Sequence, residues 1–195
     1  ITERSVPFNL EADSLNASVL GEKAVPGTEE FDLFVKEVTR EITVKAGQKC
    51  TAVRRIIVPE NLIEEVQDAI AKRLASTTIG DPSVEGVRMG SLATQTQVDR
   101  VRESVELLTK SQDIVFGDLD KFEVIGADKN KGAFFSPILF RNNDPFNKVD
   151  VHSIEAFGPV STIMPYKNME EAVELADFLN ENVEKNAIFL EKISF

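Results

Sequence analysis

The stretch from residue 28 to residue 58 constrains the fold most, because a helical repeat there runs into a β-branched strand. Phe31, Phe34, Val35, Val38 and Ile42 recur at i, i+3, i+4, i+7 spacing behind Thr28, a residue suited to cap a helix. That amphipathic helix is expected to end just before Val44. Val53-Arg54-Arg55-Ile56-Ile57-Val58 then reads as a strand closed by Pro59. The pattern repeats downstream. Pro59-Glu60-Asn61 opens a second helix, with Leu62, Ile63, Val66, Ile70 and Leu74 on its apolar face. A turn-rich stretch from Gly80 to Ser91 precedes a third helix over roughly Gln95 to Leu108. Strands are predicted at 113–116, 134–140 and 160–165, with a last helix from about Met169. Alternation of this kind favours an α/β sandwich with a mostly parallel sheet. An α+β arrangement is the alternative, since residues 113–140 could form hairpins. Pro7 to Asn16 reads as an extended lead-in to a loop. From Asp177 the chain turns polar and asparagine-rich, and no closing strand is evident there.

A chain of 195 residues is expected to form one domain, since domains run ~100–200 residues. The formal charge of −11 argues against a nucleic-acid partner, which requires clustered Lys and Arg, and against an anionic membrane surface. No apolar run approaches the ~18–20 residues of a membrane span. One cysteine cannot form an internal disulfide, and no signal peptide opens the chain, so a cytoplasmic setting is expected. The chain begins at Ile1 rather than at methionine, which suggests a piece of something longer. No metal site is expected, because one cysteine and one histidine cannot build a structural zinc centre. No glycine-rich phosphate loop occurs either. His152, the sole histidine, is read as structural.

A lone cysteine is most often a small buried hydrophobe. Three features set Cys50 apart from that reading. It follows Gly47-Gln48, where glycine permits a sharp turn or close approach. Lys49, Arg54 and Arg55 offer positive potential that would favour a thiolate. The small Thr51 and Ala52 leave room around the sulfur.

Gly47-Gln48-Lys49-Cys50-Thr51-Ala52 resembles the cysteine active-site motif of the aldehyde dehydrogenases, Gly-Gln/Glu-x-Cys followed by small residues. Further matches follow in that family's order. Gly80-Asp81-Pro82 with Met89-Gly90-Ser91-Leu92 is similar to its Gly-Asp-Pro…Gly-Pro-Leu turn. Gly132-Ala133-Phe134-Phe135-Ser136-Pro137 resembles its Gly-Tyr-Phe-x-x-Pro strand, and Glu155-Ala156-Phe157-Gly158-Pro159-Val160 its Glu-x-Phe-Gly-Pro-Val motif. Glu11 stands a few tens of residues before Cys50, where the family carries a glutamate, but Glu11-Ala12-Asp13-Ser14 replaces the usual Glu-Leu-Gly-Gly. Thr43 is a second departure, at a position that is usually aromatic or aliphatic. The variant motifs together resemble one subfamily, the dehydrogenase part of the bifunctional ring-opening enzyme of phenylacetate degradation.

The resemblance implies a three-layer α/β sandwich and the oxidation of an aldehyde, in that subfamily a CoA-linked semialdehyde. It implies Cys50 as nucleophile, forming a thiohemiacetal and then a thioester, and Glu11 as general base for the hydrolytic water. Glu155 would accept hydrogen bonds from the nicotinamide ribose, and Phe157 would pack beside the nicotinamide of NADP or NAD. Residues 1–195 would be the catalytic domain, with the cofactor-binding domain lying outside them and residues 177–195 an atypical tail. The isolated piece is expected to be inactive and the parent protein a homo-oligomer. Three other readings compete: a truncated, non-catalytic domain; a cysteine acyltransferase or hydrolase, which would need His152 as its base; and an interaction module with an exposed apolar face.

Overall fold

The computed structural model describes residues 15–178. Five strands lie in the order β1-β2-β5-β4-β3, with β1 at Asn16–Val19, β2 at Val53–Pro59, β3 at Asp113–Phe116, β4 at Ile138–Arg141 and β5 at Val160–Tyr166. β1, β2, β5 and β4 run parallel, and β3 closes the edge antiparallel to β4. The sheet is thus mostly parallel, and the hairpin-like element expected within 113–140 is the β3–β4 pair.

The helices form where the apolar period predicts. Helix α1 spans Glu29–Thr43, with the Thr28 hydroxyl accepting from the Phe31 N–H and acidic Glu29, Glu30 and Asp32 in its first turn. Both features offset the unsatisfied donors and the dipole of a helix start. Helix α3 spans Gln95–Leu108 and is capped in the same way by Thr94. Helix α2 begins only at Ile63 and ends at Ala75. The predicted start at Pro59 is instead the last residue of β2, and Glu60–Leu62 form a 3-10 turn before α2. Paired β4 is shorter than the predicted 134–140 strand, because Pro137 has no N–H to donate to the ladder. β1 was hidden in the sequence: Asn-Ala-Ser-Val has little strand character, and pairing with β2 makes it a strand. A final helix, α4, occupies residues 169–178.

Side chains alternate across the sheet and sort into two faces. Ile56, Val58, Leu139 and Ile163 point to a layer built from Phe31, Val35, Val38 and Ile42 of α1 and Ile63, Val66, Ile70 and Leu74 of α2. On the other face, Ile138, Phe140 and Val160 meet Val98, Val101, Val105 and Leu108 of α3. Ile57, Met164 and Tyr166 meet Ala172 and Leu175 of α4 there. The result is a helix–sheet–helix sandwich. Truncating a fully buried residue such as Ile56 to alanine costs about 2–5 kcal/mol in such a core. None of the described helices is long and apolar enough to cross a membrane.

Every residue of β2 is buried, including Arg54 and Arg55. Val53 and Ile56 both face the α1–α2 layer because the β1–β2 register shifts between them, so Arg54 and Arg55 both point to the α3–α4 side and reach different partners there. Arg55 lies between β2 and α4. It donates to the Leu15 carbonyl at 2.8 Å, the Leu175 carbonyl at 2.8 Å and the Ala176 carbonyl at 3.2 Å. Its remaining contact is with His152 Nδ1 at 3.2 Å, while His152 Nε2 lies 3.0 Å from the Pro145 carbonyl. Arginine can only donate and a carbonyl can only accept, so the imidazole is neutral, with its proton on Nε2. The Phe178 ring stacks on it at 4.3 Å.

Burial, reinforced by the Arg55 charge and opposed by the Pro145 carbonyl, pushes the His152 pKa from 6.5 down to about 4. Burial alone pulls Arg55 down to about 10. Because unfolded His152 binds a proton more readily than folded His152, its contribution is fully present above pH 6.5 and is lost as the pH falls toward 4. The loss amounts to about 3 kcal/mol. Urea titrations of the wild type and a His152→Gln variant at a series of pH values across that window check this. The difference in unfolding free energy between the two should shrink steadily toward the acid end, and a constant difference would refute it.

Candidate active site

After α1 the chain passes through a left-handed turn. Lys45, Ala46 and Gly47 have φ values of 53°, 51° and 69°. For the two residues with a Cβ this region costs roughly 1–2 kcal/mol each. Such strain persists only where surrounding contacts hold it, and it collects at functional sites. Here Ala46 is buried among the α3-side apolar residues, and the Gly47 carbonyl accepts from Arg54 Nη2 at 2.7 Å. The turn delivers Cys50, the lone cysteine, to the surface immediately before β2. Asn16, at the start of β1, secures it from the other side. Its Nδ2 donates to the Cys50 carbonyl at 2.6 Å and to the Ala52 carbonyl at 3.1 Å.

The Glu155–Pro159 turn leads into β5 beside the cysteine turn. Gly47 lies so close to it that a Cβ there would overlap the Gly158 carbonyl group. Gln48 Nε2 donates to the Phe157 carbonyl at 3.1 Å, and Gln48 Oε1 accepts from the Ala93 N–H at 2.7 Å. One amide thus ties the cysteine turn both to the Phe157 turn and to the segment that precedes α3. Arg54 crosses the same gap, with Nη1 2.5 Å from the Gly158 carbonyl oxygen and Nε 3.4 Å from Glu155 Oε1. Its guanidinium carbon stands 5.5 Å from the centre of the Phe157 ring. Burial pulls the Arg54 pKa below its ordinary value, and the Glu155 charge and hydrogen bond oppose that. The Glu155 side chain is only 8% exposed, whereas Phe157 is 38% exposed.

Cys50, Glu155 and Phe157 therefore come from two turns that touch. Glu11 lies outside the described residues. The expected cationic surroundings of Cys50 are corrected by the structure. Lys49 Nζ pairs with the Glu41 carboxylate at 2.7 Å, Arg54 serves Glu155 and two carbonyls, and Arg55 faces His152. The roles of Asn16 and Gln48 as tethers were missed in the sequence. Only the adjacency of Gln48 to Gly47 and Cys50 pointed to either.

Cys50 precedes β2, Glu155 and Phe157 precede β5, and Asn16 opens β1. The candidate site thus occupies the amino ends of three neighbouring parallel strands. Ligands of doubly wound sheets bind at the opposite, carboxyl ends. An exposed cysteine on a turn joined to one that carries an exposed aromatic ring and a carboxylate paired with a guanidinium suits covalent attack on a carbonyl next to a planar ring ligand.

The sequence matches the aldehyde dehydrogenase family over residues 3–181. The chain belongs to the aldehyde dehydrogenase family. It is 43% identical over 176 residues to a 3,4-dehydroadipyl-CoA semialdehyde dehydrogenase of Aromatoleum evansii, an overlap of 90% of this chain and 34% of that relative. To a 1-pyrroline-5-carboxylate dehydrogenase of Oceanobacillus iheyensis it is 28% identical over 148 residues, 76% of this chain and 27% of that protein. Among solved structures, a betaine aldehyde dehydrogenase of Staphylococcus aureus in complex with NAD+ superposes with a TM-score of 0.77. The sequence identity there is 22%, and the overlap covers 90% of this chain and 33% of the other. That likeness carries the fold. The chain spans about a third of the length of these relatives.

Gly47→Ala tests the closeness of the two turns. The new Cβ would meet the Gly158 backbone, and alanine is disfavoured at φ 69°. The variant should lose at least about 2 kcal/mol of unfolding free energy, read by urea denaturation. A change within about 0.5 kcal/mol would show that the turns part easily.

Proposed function

We propose that this chain is the catalytic-domain portion of an NAD(P)-dependent aldehyde dehydrogenase that oxidises an aldehyde to its carboxylic acid. The observation that carries the reading is the surface-exposed Cys50, held by Gly47 and Gln48 against the Glu155–Pro159 turn. The Cys50 thiolate attacks the aldehyde carbon and forms a tetrahedral thiohemiacetal, while the Cys50 N–H donates to the developing oxyanion. Loss of hydride from that carbon leaves a thioester on Cys50, and the nicotinamide supplies the hydride acceptor. Glu11 takes a proton from water, which adds to the thioester, expels the thiolate and releases the acid.

The residues present fit the nicotinamide end of such a cofactor. Phe157 offers an exposed aromatic face on the turn joined to the cysteine turn, and Glu155 is a carboxylate held in one orientation by Arg54. A carboxylate accepts several hydrogen bonds at once, which suits the vicinal hydroxyls of a ribose. The adenosine end, and with it the choice between NADP and NAD, would be read by residues outside these 195. For the substrate we favour a CoA-linked semialdehyde from the degradation of an aromatic compound, in line with the motif variants and with the name of the Aromatoleum relative. We place the enzyme in the cytoplasm and expect it to work as a homo-oligomer.

The test is aldehyde-dependent NADP reduction by the polypeptide that joins this chain to its natural upstream sequence, alongside the 195 residues alone. Activity should appear only in the longer protein and vanish in Cys50→Ser. In Glu11→Gln, hydride transfer should survive for about one turnover and the acyl adduct on Cys50 should accumulate, visible by mass spectrometry of the intact protein. Full activity in Cys50→Ser would refute the nucleophile, and steady turnover in Glu11→Gln would refute the base.

A further inference from the structure

Arg54 makes an unusual set of contacts for a residue inside a strand. Its side chain is 4% exposed, and each of its three guanidinium nitrogens has an acceptor. Nη2 takes the Gly47 carbonyl of the cysteine turn, Nη1 takes the Gly158 carbonyl, and Nε faces the Glu155 carboxylate. The guanidinium also lies against the ring of Phe157. Two turns that are about a hundred residues apart in sequence thus meet on one planar group. A fold needing only a filled volume at this position would be served as well by an apolar side chain, since burying a charge costs several kcal/mol before it is paired. The arrangement uses what distinguishes arginine from lysine: a rigid fork that engages several acceptors in fixed directions and stacks on an aromatic face.

We propose that Arg54 is a positioning residue which holds the Glu155 carboxylate and the Phe157 ring in register with the Cys50 turn, and so sets where the nicotinamide end of the cofactor lies relative to the nucleophile. The inference rests on the reading of Glu155 and Phe157 as cofactor contacts. Arg54 does not touch the aldehyde. Its loss acts through the cofactor-side turn while the cysteine turn keeps its other ties, from Asn16 to the Cys50 carbonyl and from the Ala93 N–H to Gln48.

The experiment uses the polypeptide that carries this chain with its natural upstream sequence. Arg54→Lys keeps the charge and removes the fork. Glu155→Gln removes one arm and leaves Arg54 its two carbonyls. Cofactor dissociation constants come from NADPH fluorescence titration, and aldehyde KM, melting temperature and the rate of Cys50 alkylation by iodoacetamide are measured in parallel. Arg54→Lys should bind cofactor about ten-fold more weakly, while aldehyde KM and alkylation rate change less than about two-fold. Glu155→Gln should weaken cofactor binding similarly, and the double variant should be little worse than either single one, because the two changes break one unit. Unchanged cofactor binding in Arg54→Lys, with Glu155→Gln weakened, overturns the inference and leaves the role of Glu155 standing. Unchanged binding in Glu155→Gln overturns both. Additive losses in the double variant, or an Arg54→Lys protein that fails to fold by circular dichroism, make Arg54 a residue of the fold and also overturn it.

Discussion

Two guanidinium groups buried side by side in β2 organise much of what surrounds them. A charge in that position requires partners, and Arg54 and Arg55 find different ones, Arg54 among the turns at the amino end of the strand and Arg55 beside α4. Arg55 gathers the Leu15 carbonyl, the imidazole of His152 and two carbonyls of α4, so it ties α4 to β2. Arg54 gathers the cysteine turn and the Glu155–Pro159 turn, so the loops at one end of the sheet are joined around it. Much of the connection between the core and the candidate site passes through these two neighbouring residues.

The cysteine turn is strained in its backbone. Three successive left-handed residues cost conformational energy that the buried Ala46, the Arg54 hydrogen bond and the close approach of Gly47 to Gly158 must offset. The strain has a use. It turns the chain sharply between α1 and β2, so that the thiol stands exposed while its backbone is tied down by Asn16, Gln48 and Arg54. A nucleophile held in this way loses little further freedom when it attacks, which is the main advantage of a preorganised site.

The chain belongs to the aldehyde dehydrogenase family and spans about a third of the length of the relatives it matches. The amino ends of the parallel strands carry Cys50 and the Phe157 turn. The lone histidine takes no part there. His152 is buried against Arg55 and Phe178, which leaves a cysteine hydrolase without an imidazole beside Cys50 among the described residues.

Local chemistry wrote several elements into the sequence directly. Thr28 caps the helix it was expected to cap, α3 has the predicted bounds, and the β-branched run at 53–58 lies in a fully buried strand. These depend on side-chain period and on hydrogen bonds three residues away, so neighbours in the chain suffice. The family motifs were legible for the same reason, as short runs around Cys50 and Phe157. Long-range pairing decided the rest. Asn16–Val19 becomes a strand only because β2 offers it an edge, and Pro137 shortens β4 only because the ladder demands a donor there. The arginine pair looked like a cationic patch for Cys50 because the sequence counts charges and not directions. Only the tertiary structure could give each guanidinium its own partners, since groups about a hundred residues away determine where a buried charge is satisfied.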